Sequence, residues 1–228
     1  MDEVLEQLKD GVRRFQAEVY PQRAEMFEQI ANEQQRPQTL FISCADSRVN
    51  PNEITSSGPG DVFVTRNIGN MVPAYGEMLG GVSAVIEFAV SSLGVKHIVV
   101  CGHSDCGAMK ALLQPESVAK MPTVTSWLKN AHAALTVAET LHERDIENHS
   151  DRPLLEVLTE QNVLLQMQHL KTHPSVAGAM AVSELTISGW IYDIGKGRVL
   201  VAEDGERSFT PIEPLKPTTD EAPLRVEG

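Results

Sequence analysis

Cysteine, aromatic residues and long apolar runs are all scarce in this sequence of 228 residues. There are three cysteines, Cys44, Cys101 and Cys106, and an odd number argues against a disulfide framework. Aromatic residues make up 5% of the chain and apolar residues 42%, so the core should be mainly aliphatic. No segment approaches the ~20 apolar residues of a membrane span, and residues 1–15 lack the basic start and apolar run of a signal peptide.

Positive charge is also in short supply, because 19 Lys and Arg residues face 31 Asp and Glu residues and leave a net charge of −12. An excess of negative charge disfavours binding to the phosphates of nucleic acid and to anionic membranes. The composition therefore predicts a soluble, cytoplasmic protein with no nucleic-acid or membrane partner.

The sequence pattern divides the chain into a helical arm over residues 1–35, one α/β domain over 36–204 and an irregular, proline-containing tail over 205–228. Apolar residues of the arm recur at helical spacing and form one face, namely Leu5, Leu8, Val12 and Phe15. This face packs either on the chain's own domain or over a partner subunit. The sequence leaves both alternatives open.

Short apolar runs bounded by turn residues predict β-strands at 39–43, 61–66 and 96–102. Between the last two strands, "LGGVSAVIEFAVSSLG" predicts a helix of small residues that ends at Gly94. A strand, a helix and a strand at this spacing indicate right-handed crossovers and a parallel sheet.

The second half of the domain is mainly helical by pattern. Helices are predicted at 107–113, 122–147 and 153–171, and two strands joined by the turn "GKG" are predicted within 184–203. Together the elements predict an α/β fold with a central, mostly parallel sheet flanked by helices.

Candidate metal ligands follow two of the predicted strands. Cys44 comes directly after the first strand, and His103 and Cys106 follow the third within "CGHSDCG". Because the carboxyl ends of parallel strands meet at one edge of a sheet, these three side chains should converge. Two thiolates and an imidazole suit Zn²⁺, and three protein ligands leave a fourth position open, as in catalytic sites. Cys101 is interpreted as a core residue that faces away from the site, from the alternation of strand side chains.

Asp46 and Arg48 follow Cys44 closely, within "CADSR". Asp46 is either a fourth zinc ligand or an acceptor beside a zinc-bound water, and Arg48 can hold its carboxylate with two hydrogen bonds. If Arg48 holds Asp46, the fourth zinc position stays free, and if the pair breaks, Asp46 can close the site. The plainer alternative is an exposed turn pair that contributes ~0–1 kcal/mol.

The segments "CADSR", "PGDVFVTRNIGNMVP" and "HSDC" resemble the signature of the β-class carbonic anhydrases, with similarity from about residue 10 to residue 203. The resemblance implies four parallel strands extended by one antiparallel strand. It also implies an arm that wraps over a partner, in a dimer or a dimer of dimers with the active site at the subunit interface. The implied cofactor is Zn²⁺, and the implied reaction is CO2 + H2O ⇌ HCO3⁻ + H⁺ through zinc-bound hydroxide.

The resemblance also implies roles for residues around the metal. Gln35 would enter the neighbouring subunit's site, and Phe63 and Ile68 would line the carbon dioxide pocket. Gly107 would let a backbone N–H approach the substrate. Asp46, held by Arg48, would orient the attacking hydroxide.

One subtype of this family binds bicarbonate at a non-catalytic site built from a Trp, an Arg and a Tyr, and it closes zinc with the aspartate. Phe41 and Phe88 are interpreted as standing at the Trp and Tyr positions, while Arg66 remains. A phenylalanine cannot hydrogen-bond an anion. The resemblance therefore implies the open-site, bacterial or plant-like subtype.

Three other interpretations remain. The same scaffold and ligands suit a hydrolase of carbon disulfide or carbonyl sulfide. A zinc-stabilised protein without turnover is disfavoured because no fourth Cys or His ligand is evident. Metal-free Cys–His nucleophilic catalysis is disfavoured because it leaves the second ligand-spaced cysteine unexplained.

Overall fold

A computed structural model describes residues 2–77, 80–147 and 151–215 of the chain. Its centre is one six-stranded sheet in the order β2-β1-β3-β4-β5-β6. The strands are β1 (Thr39–Cys44), β2 (Val62–Asn67), β3 (His97–His103), β4 (Thr186–Asp193), β5 (Arg198–Glu203) and β6 (Thr210–Pro211). The first four pair in parallel and β5 and β6 pair antiparallel, which confirms the predicted α/β fold with its mostly parallel sheet.

Helices flank the sheet and form the arm. They are α1 (Asp2–Arg14), α2 (Ala24–Asn32), α3 (Pro51–Ile54), α4 (Gly81–Glu87), α5 (Gly107–Leu113), α6 (Pro122–Leu128), α7 (His132–Glu147), α8 (Leu154–Leu170) and α9 (Pro174–Ala181). The helix after β2 continues from α4 as a π-helix over Phe88–Leu93 and ends at Gly94, which adopts the left-handed conformation (φ 68°) that favours glycine. This is the end that the sequence predicts.

The sheet has one antiparallel strand more than the resemblance implies. Strand β6 begins within the predicted irregular tail and pairs with β5, and the N–H of Ile212 donates to the carbonyl of Val199. The tail is therefore not irregular throughout, while residues 216–228 lie outside the described residues.

The helix predicted at 122–147 is interrupted. A 3₁₀ turn over Lys129–Ala131 separates α6 from α7. The side-chain amide of Asn130 donates to the carbonyl of Trp127 at 2.8 Å, so a local side-chain hydrogen bond competes with the helical pattern at this point.

The main core lies between the sheet and the helices α4 and α8. Leu40, Ile98 and Ile187 of the sheet cluster there with Ile86 and Met167, and all five are at most 1% exposed. Strands β1 and β3, which lie inside the sheet, are buried over nearly their whole length. The carboxyl ends of these two strands are therefore held rigidly side by side.

The arm leaves its apolar face uncovered by the rest of the chain. Leu5, Leu8, Val12 and Phe15 are 52%, 66%, 55% and 41% exposed. Burying such side chains is favourable by roughly 1.5–3 kcal/mol each, so we expect a face of this size to pack against another surface. Among the described residues, no helix is both long and apolar enough to cross a membrane.

Candidate metal centre

The three predicted ligands converge at the carboxyl edge of the sheet. Cys44 is the last residue of β1, His103 is the last residue of β3, and Cys106 directly precedes α5. The parallel register of β1 and β3 places Ser43 opposite Cys101, so both strands end at the same level. One ligand atom from each of the three residues lies within 4.8 Å of the others, and all three residues are buried.

The imidazole of His103 is prepared to bind a cation. Its Nδ1 hydrogen-bonds the carbonyl of Ser104 at 2.8 Å, which requires the proton on Nδ1 and leaves a lone pair on Nε2. Within the described part of the chain, Nε2 is buried and has no hydrogen-bond partner. A buried polar atom without a partner is costly, and a metal ion would satisfy it.

The two sulfur atoms are electrostatically coupled. The neighbouring Cys106 thiol stabilises the Cys44 thiolate and lowers the pKa of Cys44, against the opposing effect of burial. The same contact with Cys44, together with burial, raises the pKa of Cys106. A second thiolate at this distance needs a cation between the two, so the donor set fits Zn²⁺.

Backbone N–H groups complete the surroundings of the sulfur atoms. The backbones of Gly69 and Asp46 lower the pKa of Cys44, and those of Met109 and Ala108 lower the pKa of Cys106, in each case against the effect of burial. These donors stabilise negative charge on sulfur in a site from which most water is excluded.

Asp46 lies beside the three ligands and is held by Arg48. Nε of Arg48 donates to Oδ1 at 2.9 Å and Nη2 donates to Oδ2 at 2.8 Å, while the backbone N–H of Arg48 also donates to Oδ1 at 3.0 Å. These bonds hold the pKa of Asp46 well below its usual range. Oδ2 remains 3.9 Å from Nε2 of His103, so the carboxylate lies next to the group of ligand atoms and is paired with the guanidinium.

Two further residues support the Asp46–Arg48 pair, and the sequence did not predict this role for either of them. Asp105 accepts from Nη1 of Arg48 at 3.0 Å and also pairs with Lys110. Arg66 donates to the carbonyls of Cys44 and Asp46 at 3.0 and 2.6 Å and so braces the loop between them. Asp105 could have been noticed from its place inside "HSDC". Its backbone is left-handed there (φ 61°), a conformation that aspartate tolerates better than most residues.

Of the predicted pocket residues, two lie at this edge of the sheet. Ile68 follows β2 directly and is 44% exposed, and Gly107 is exposed at the start of α5, with nothing within 4 Å of where a Cβ would lie. Gln35 is exposed between the arm and β1.

Phe63 is not brought to the metal centre within one chain. It pairs with Leu40, whereas Asn67 pairs with Cys44, so about 13 Å of strand separates Phe63 from the level of the ligands. A part for Phe63 in a substrate pocket stays a prediction that requires a second subunit.

Phe88 does not share a surface with Phe41, contrary to the assignment made from the resemblance. Phe88 contacts Phe63 at a ring distance of 6.0 Å, and Phe63 packs on the main core. Phe41 is fully buried in a separate cluster, with Trp190 and Tyr192 packed against it. The tyrosine that lies near Phe41 is therefore Tyr192, so of the two phenylalanines only Phe41 bears on the bicarbonate site.

Cys101 is a core residue, as predicted, although the reason given was wrong. It precedes His103 by two residues and so shares its alternation along β3. Cys101 is fully buried in the cluster around Phe41, outside the group of ligand atoms, and burial raises the pKa of its thiol to about 12. Its position along the strand, and not its facing, separates it from the site.

Comparison with known proteins agrees with this geometry. A family model described as carbonic anhydrase matches residues 39–199. The chain is 44% identical to a carbonic anhydrase of Pseudomonas aeruginosa over 203 residues, which cover 89% of this chain and 90% of that protein. It is 42% identical to carbonic anhydrase 1 of Escherichia coli O157:H7 over 222 residues, covering 97% and 98% of the two chains.

Solved structures give the same result. The β-carbonic anhydrase CcaA superposes with a TM-score of 0.84 at 37% identity, over 93% of each chain. A structure from the fungus Sordaria macrospora, described as a tetrameric β-carbonic anhydrase, superposes with a TM-score of 0.72 at 30% identity, over 89% of this chain and 98% of that one. The sequence signature, the sheet and the Cys–His–Cys group thus lead to one assignment: the chain belongs to the β-class carbonic anhydrases.

Proposed function

We propose that this enzyme binds Zn²⁺ through Cys44, His103 and Cys106 and uses it for the reversible hydration of carbon dioxide. The observation that carries the proposal is the buried, unpartnered Nε2 of His103 within 4.8 Å of two cysteine sulfur atoms, beside a carboxylate that a guanidinium holds. When bound, zinc supplies a Lewis acid that lowers the pKa of water and so provides hydroxide near neutral pH.

Asp46 orients the reacting groups in this proposal. An ionised carboxylate offers about four acceptor positions, and Arg48 fills two on Oδ1 and one on Oδ2. The remaining position on Oδ2 is available on the side of His103 and can accept a hydrogen bond from the nucleophile. Because the Asp46 pKa is held low, the carboxylate acts as an orienting acceptor and not as the general base.

The pairing of Asp46 with Arg48 supports the open-site subtype. Asp46 would lose three hydrogen bonds from Arg48 on becoming a fourth ligand, so its bond to zinc would have to compensate for their loss. Phe41, which cannot bind an anion as the tryptophan does, supports the same choice. Zinc held by Cys44, His103 and Cys106 would then keep its fourth position for water and substrate.

The carbon dioxide pocket is proposed to include Ile68 and Gly107 from one chain, and Gln35 and Phe63 from a partner subunit. The uncovered apolar face of the arm supports self-association as a dimer or a dimer of dimers, and one structural relative is described as tetrameric. Three buried free cysteines support a cytoplasmic location, where thiols stay reduced.

The proposal is tested by metal content and stopped-flow hydration of carbon dioxide in the wild type, Cys44→Ser and the matched core variant Cys101→Ala. The expected result is about one zinc per chain and hydration activity in the wild type and in Cys101→Ala, with both lost in Cys44→Ser. Zinc retained by Cys44→Ser would overturn the ligand assignment. Wild-type protein with zinc but without hydration would overturn the reaction, and assays with carbon disulfide and carbonyl sulfide would then test the hydrolase alternative.

A further inference from the structure

The loop that follows β2 lies between the strand that ends at one metal ligand and the helix that begins after another. We call residues 67–72 the β2 loop. Its first residue, Asn67, pairs with Cys44 at the end of β1. At Gly69, an added Cβ would lie 2.8 Å from the Cβ of Ala108, in the first turn of α5. The β2 loop is therefore packed beside the metal centre on two sides.

Two neighbouring residues of the β2 loop have a left-handed backbone. Gly69 has a φ of 75° and Asn70 a φ of 48°. This conformation is disfavoured for residues other than glycine, and it persists where surrounding groups hold it. The side chain of Asn67 supplies part of the support, because it accepts from the N–H of Met71 at 2.7 Å and donates to the carbonyl of the same residue at 3.0 Å. Further support comes from outside the loop.

The outside support centres on Gln166 of α8, which is fully buried. Its Oε1 accepts from the N–H of Val72 at 2.7 Å. Its Nε2 donates to the carbonyl of Asn130 at 3.2 Å and to Oδ1 of Asn162 at 2.9 Å. Nδ2 of Asn162 donates in turn to the carbonyl of Gly69 at 3.1 Å. Gln166 therefore holds the β2 loop directly at one end and through a second buried amide near its middle.

Trp127 closes these hydrogen bonds into a ring. The side-chain amide of Asn130 donates to the carbonyl of Trp127 at 2.8 Å, and the indole Nε1 of Trp127 donates to the carbonyl of Ile68 at 2.8 Å. Ile68 directly precedes Gly69, so the path returns to the β2 loop. We call this set the amide ring, and its members are Ile68, Gly69, Trp127, Asn130, Asn162 and Gln166.

The direction of the bonds around Gln166 is determined by their end groups. The N–H of Val72 can only donate, and the carbonyl of Gly69 can only accept. Gln166 must therefore turn its oxygen toward Val72 and its NH2 group toward acceptors. Asn162 must then present its oxygen to Gln166 and its NH2 group to Gly69. Because both amides are buried, a shift of the loop would leave a polar group unpaired, which is costly.

We propose that Gln166 is a positioning residue of the carbon dioxide pocket: through the amide ring it fixes the β2 loop, and with it Ile68, beside the metal centre. The inference rests on the proposed function, in which Ile68 lines this pocket. An apolar wall contacts the substrate in the ground state and in the transition state alike, so its displacement weakens binding and leaves the chemical step unchanged. A merely structural Gln166 would instead affect the amount of folded enzyme and not KM.

The first test is the hydration of carbon dioxide by zinc-loaded Gln166→Met, whose side chain has a similar length and no amide. The matched control is Gln168→Met, which replaces an exposed glutamine of the same helix. We expect KM of Gln166→Met to rise by roughly three- to tenfold, because a displaced wall loses part of a contact worth ~10-fold or more per methylene. Its kcat per bound zinc should change by less than about twofold, and Gln168→Met should equal the wild type. An unchanged KM in Gln166→Met would overturn the proposal.

The second test breaks the amide ring at Trp127, which is only half-buried, and needs no activity. Trp127→Phe removes the indole N–H that holds Ile68, and the matched control Trp190→Phe removes one that donates to Oγ of Ser188 at 3.0 Å. The measurement is hydrogen exchange of the Val72 N–H in the full chain as purified. Members of one hydrogen-bond network are coupled, so we expect this exchange to be about fivefold faster in Trp127→Phe and unchanged in Trp190→Phe.

This second measurement keeps the inference testable if Gln166→Met fails to fold. Equal exchange of the Val72 N–H in the wild type and in Trp127→Phe would show that the β2 loop is not held by a connected ring, and it would overturn the proposal. Failure of the proposed function is a different result, because it would appear as a wild type without zinc or hydration activity. The exchange comparison depends on neither.

Discussion

Arg48 donates hydrogen bonds to both carboxylate oxygens of Asp46, from Nε to Oδ1 at 2.9 Å and from Nη2 to Oδ2 at 2.8 Å. This pair lies at the edge of the sheet where the three ligands meet, and Oδ2 of Asp46 is 3.9 Å from Nε2 of His103. The Arg48 side chain is 46% exposed, and a pair that water screens on one side contributes little to folding, ~0–1 kcal/mol. Its importance is that it fixes which oxygen faces the metal centre.

Asp46→Asn should keep zinc and lose activity. The amide occupies nearly the same volume but offers one acceptor oxygen in place of two. Its NH2 group cannot accept a hydrogen bond from the N–H groups of Arg48, so the nucleophile loses its orienting partner. We expect about one zinc per chain and a loss of kcat on the order of 10²-fold, measured by stopped-flow hydration. The control is Asp61→Asn, which alters an exposed aspartate that caps the N–H of Gly58 at 2.7 Å. Equal rates for the wild type and Asp46→Asn would contradict the role of this carboxylate.

The pH profile should rise toward alkaline pH with the slope of a single proton. Because Arg48 holds the pKa of Asp46 well below its usual range, Asp46 stays ionised from neutral to alkaline pH and contributes no titration there. Two thiolates cancel the charge of zinc, so the activity should need a pH above the ~7 typical of zinc held by three histidines. A closed site that opens by releasing Asp46 would instead lose activity with a slope above one, because several protonations are coupled. A steep profile would count against the open site, and a flat profile would count against the expected need for alkaline pH.

Charging the apolar face of the arm should separate the subunits. Leu8 and Val12 are 66% and 55% exposed, and we expect the double substitution Leu8→Glu, Val12→Glu to sediment as a smaller species than the wild type. The matched control is Gln7→Glu, which adds a charge at an exposed polar position of α1. If Gln35 and Phe63 act in a partner's site, the dissociated variant should also lose activity. Unchanged sedimentation would argue that this face is covered in another way.

Gly69→Ala should destabilise the protein more than Gly60→Ala. Both glycines have positive φ, 75° and 94°, so both substitutions introduce backbone strain. A Cβ at Gly69 would also lie 2.8 Å from Ala108, whereas nothing lies within 4 Å at Gly60. We expect a loss of about 1–3 kcal/mol at Gly69 beyond the strain that the two share, measured by urea unfolding of metal-free protein. Equal losses would show that the loop relaxes away from α5.

The metal centre was predictable because its signals are local and its convergence follows from topology. Cys44 and His103 each end an apolar run, and parallel strands carry such ends to one edge. The arrangement of Asp46 and Arg48 was predictable from their spacing and from the geometry of a guanidinium and a carboxylate.

Other features depend on packing that the sequence does not encode locally. Strand β6 has two residues and no measurable alternation, and the break between α6 and α7 turns on one side-chain bond from Asn130. Phe88 begins a π-helical turn, and the resemblance gave no indication that it packs on Phe63. Cys101 was assigned to the wrong face, although strand alternation places it on the same side as His103. The hydrogen bond from Trp127 to the carbonyl of Ile68 had no signal in the sequence, since 59 residues separate the two.

The most direct test of the account is to remove zinc with a chelator, measure hydration of carbon dioxide, and then restore zinc to one equivalent. The account predicts that hydration falls in proportion to the zinc removed and returns with the zinc restored. It also predicts that Cys44→Ser, which lacks a ligand sulfur, does not recover under the same treatment. Hydration that persists in zinc-free protein, or that stays absent in fully zinc-loaded wild type, would contradict it.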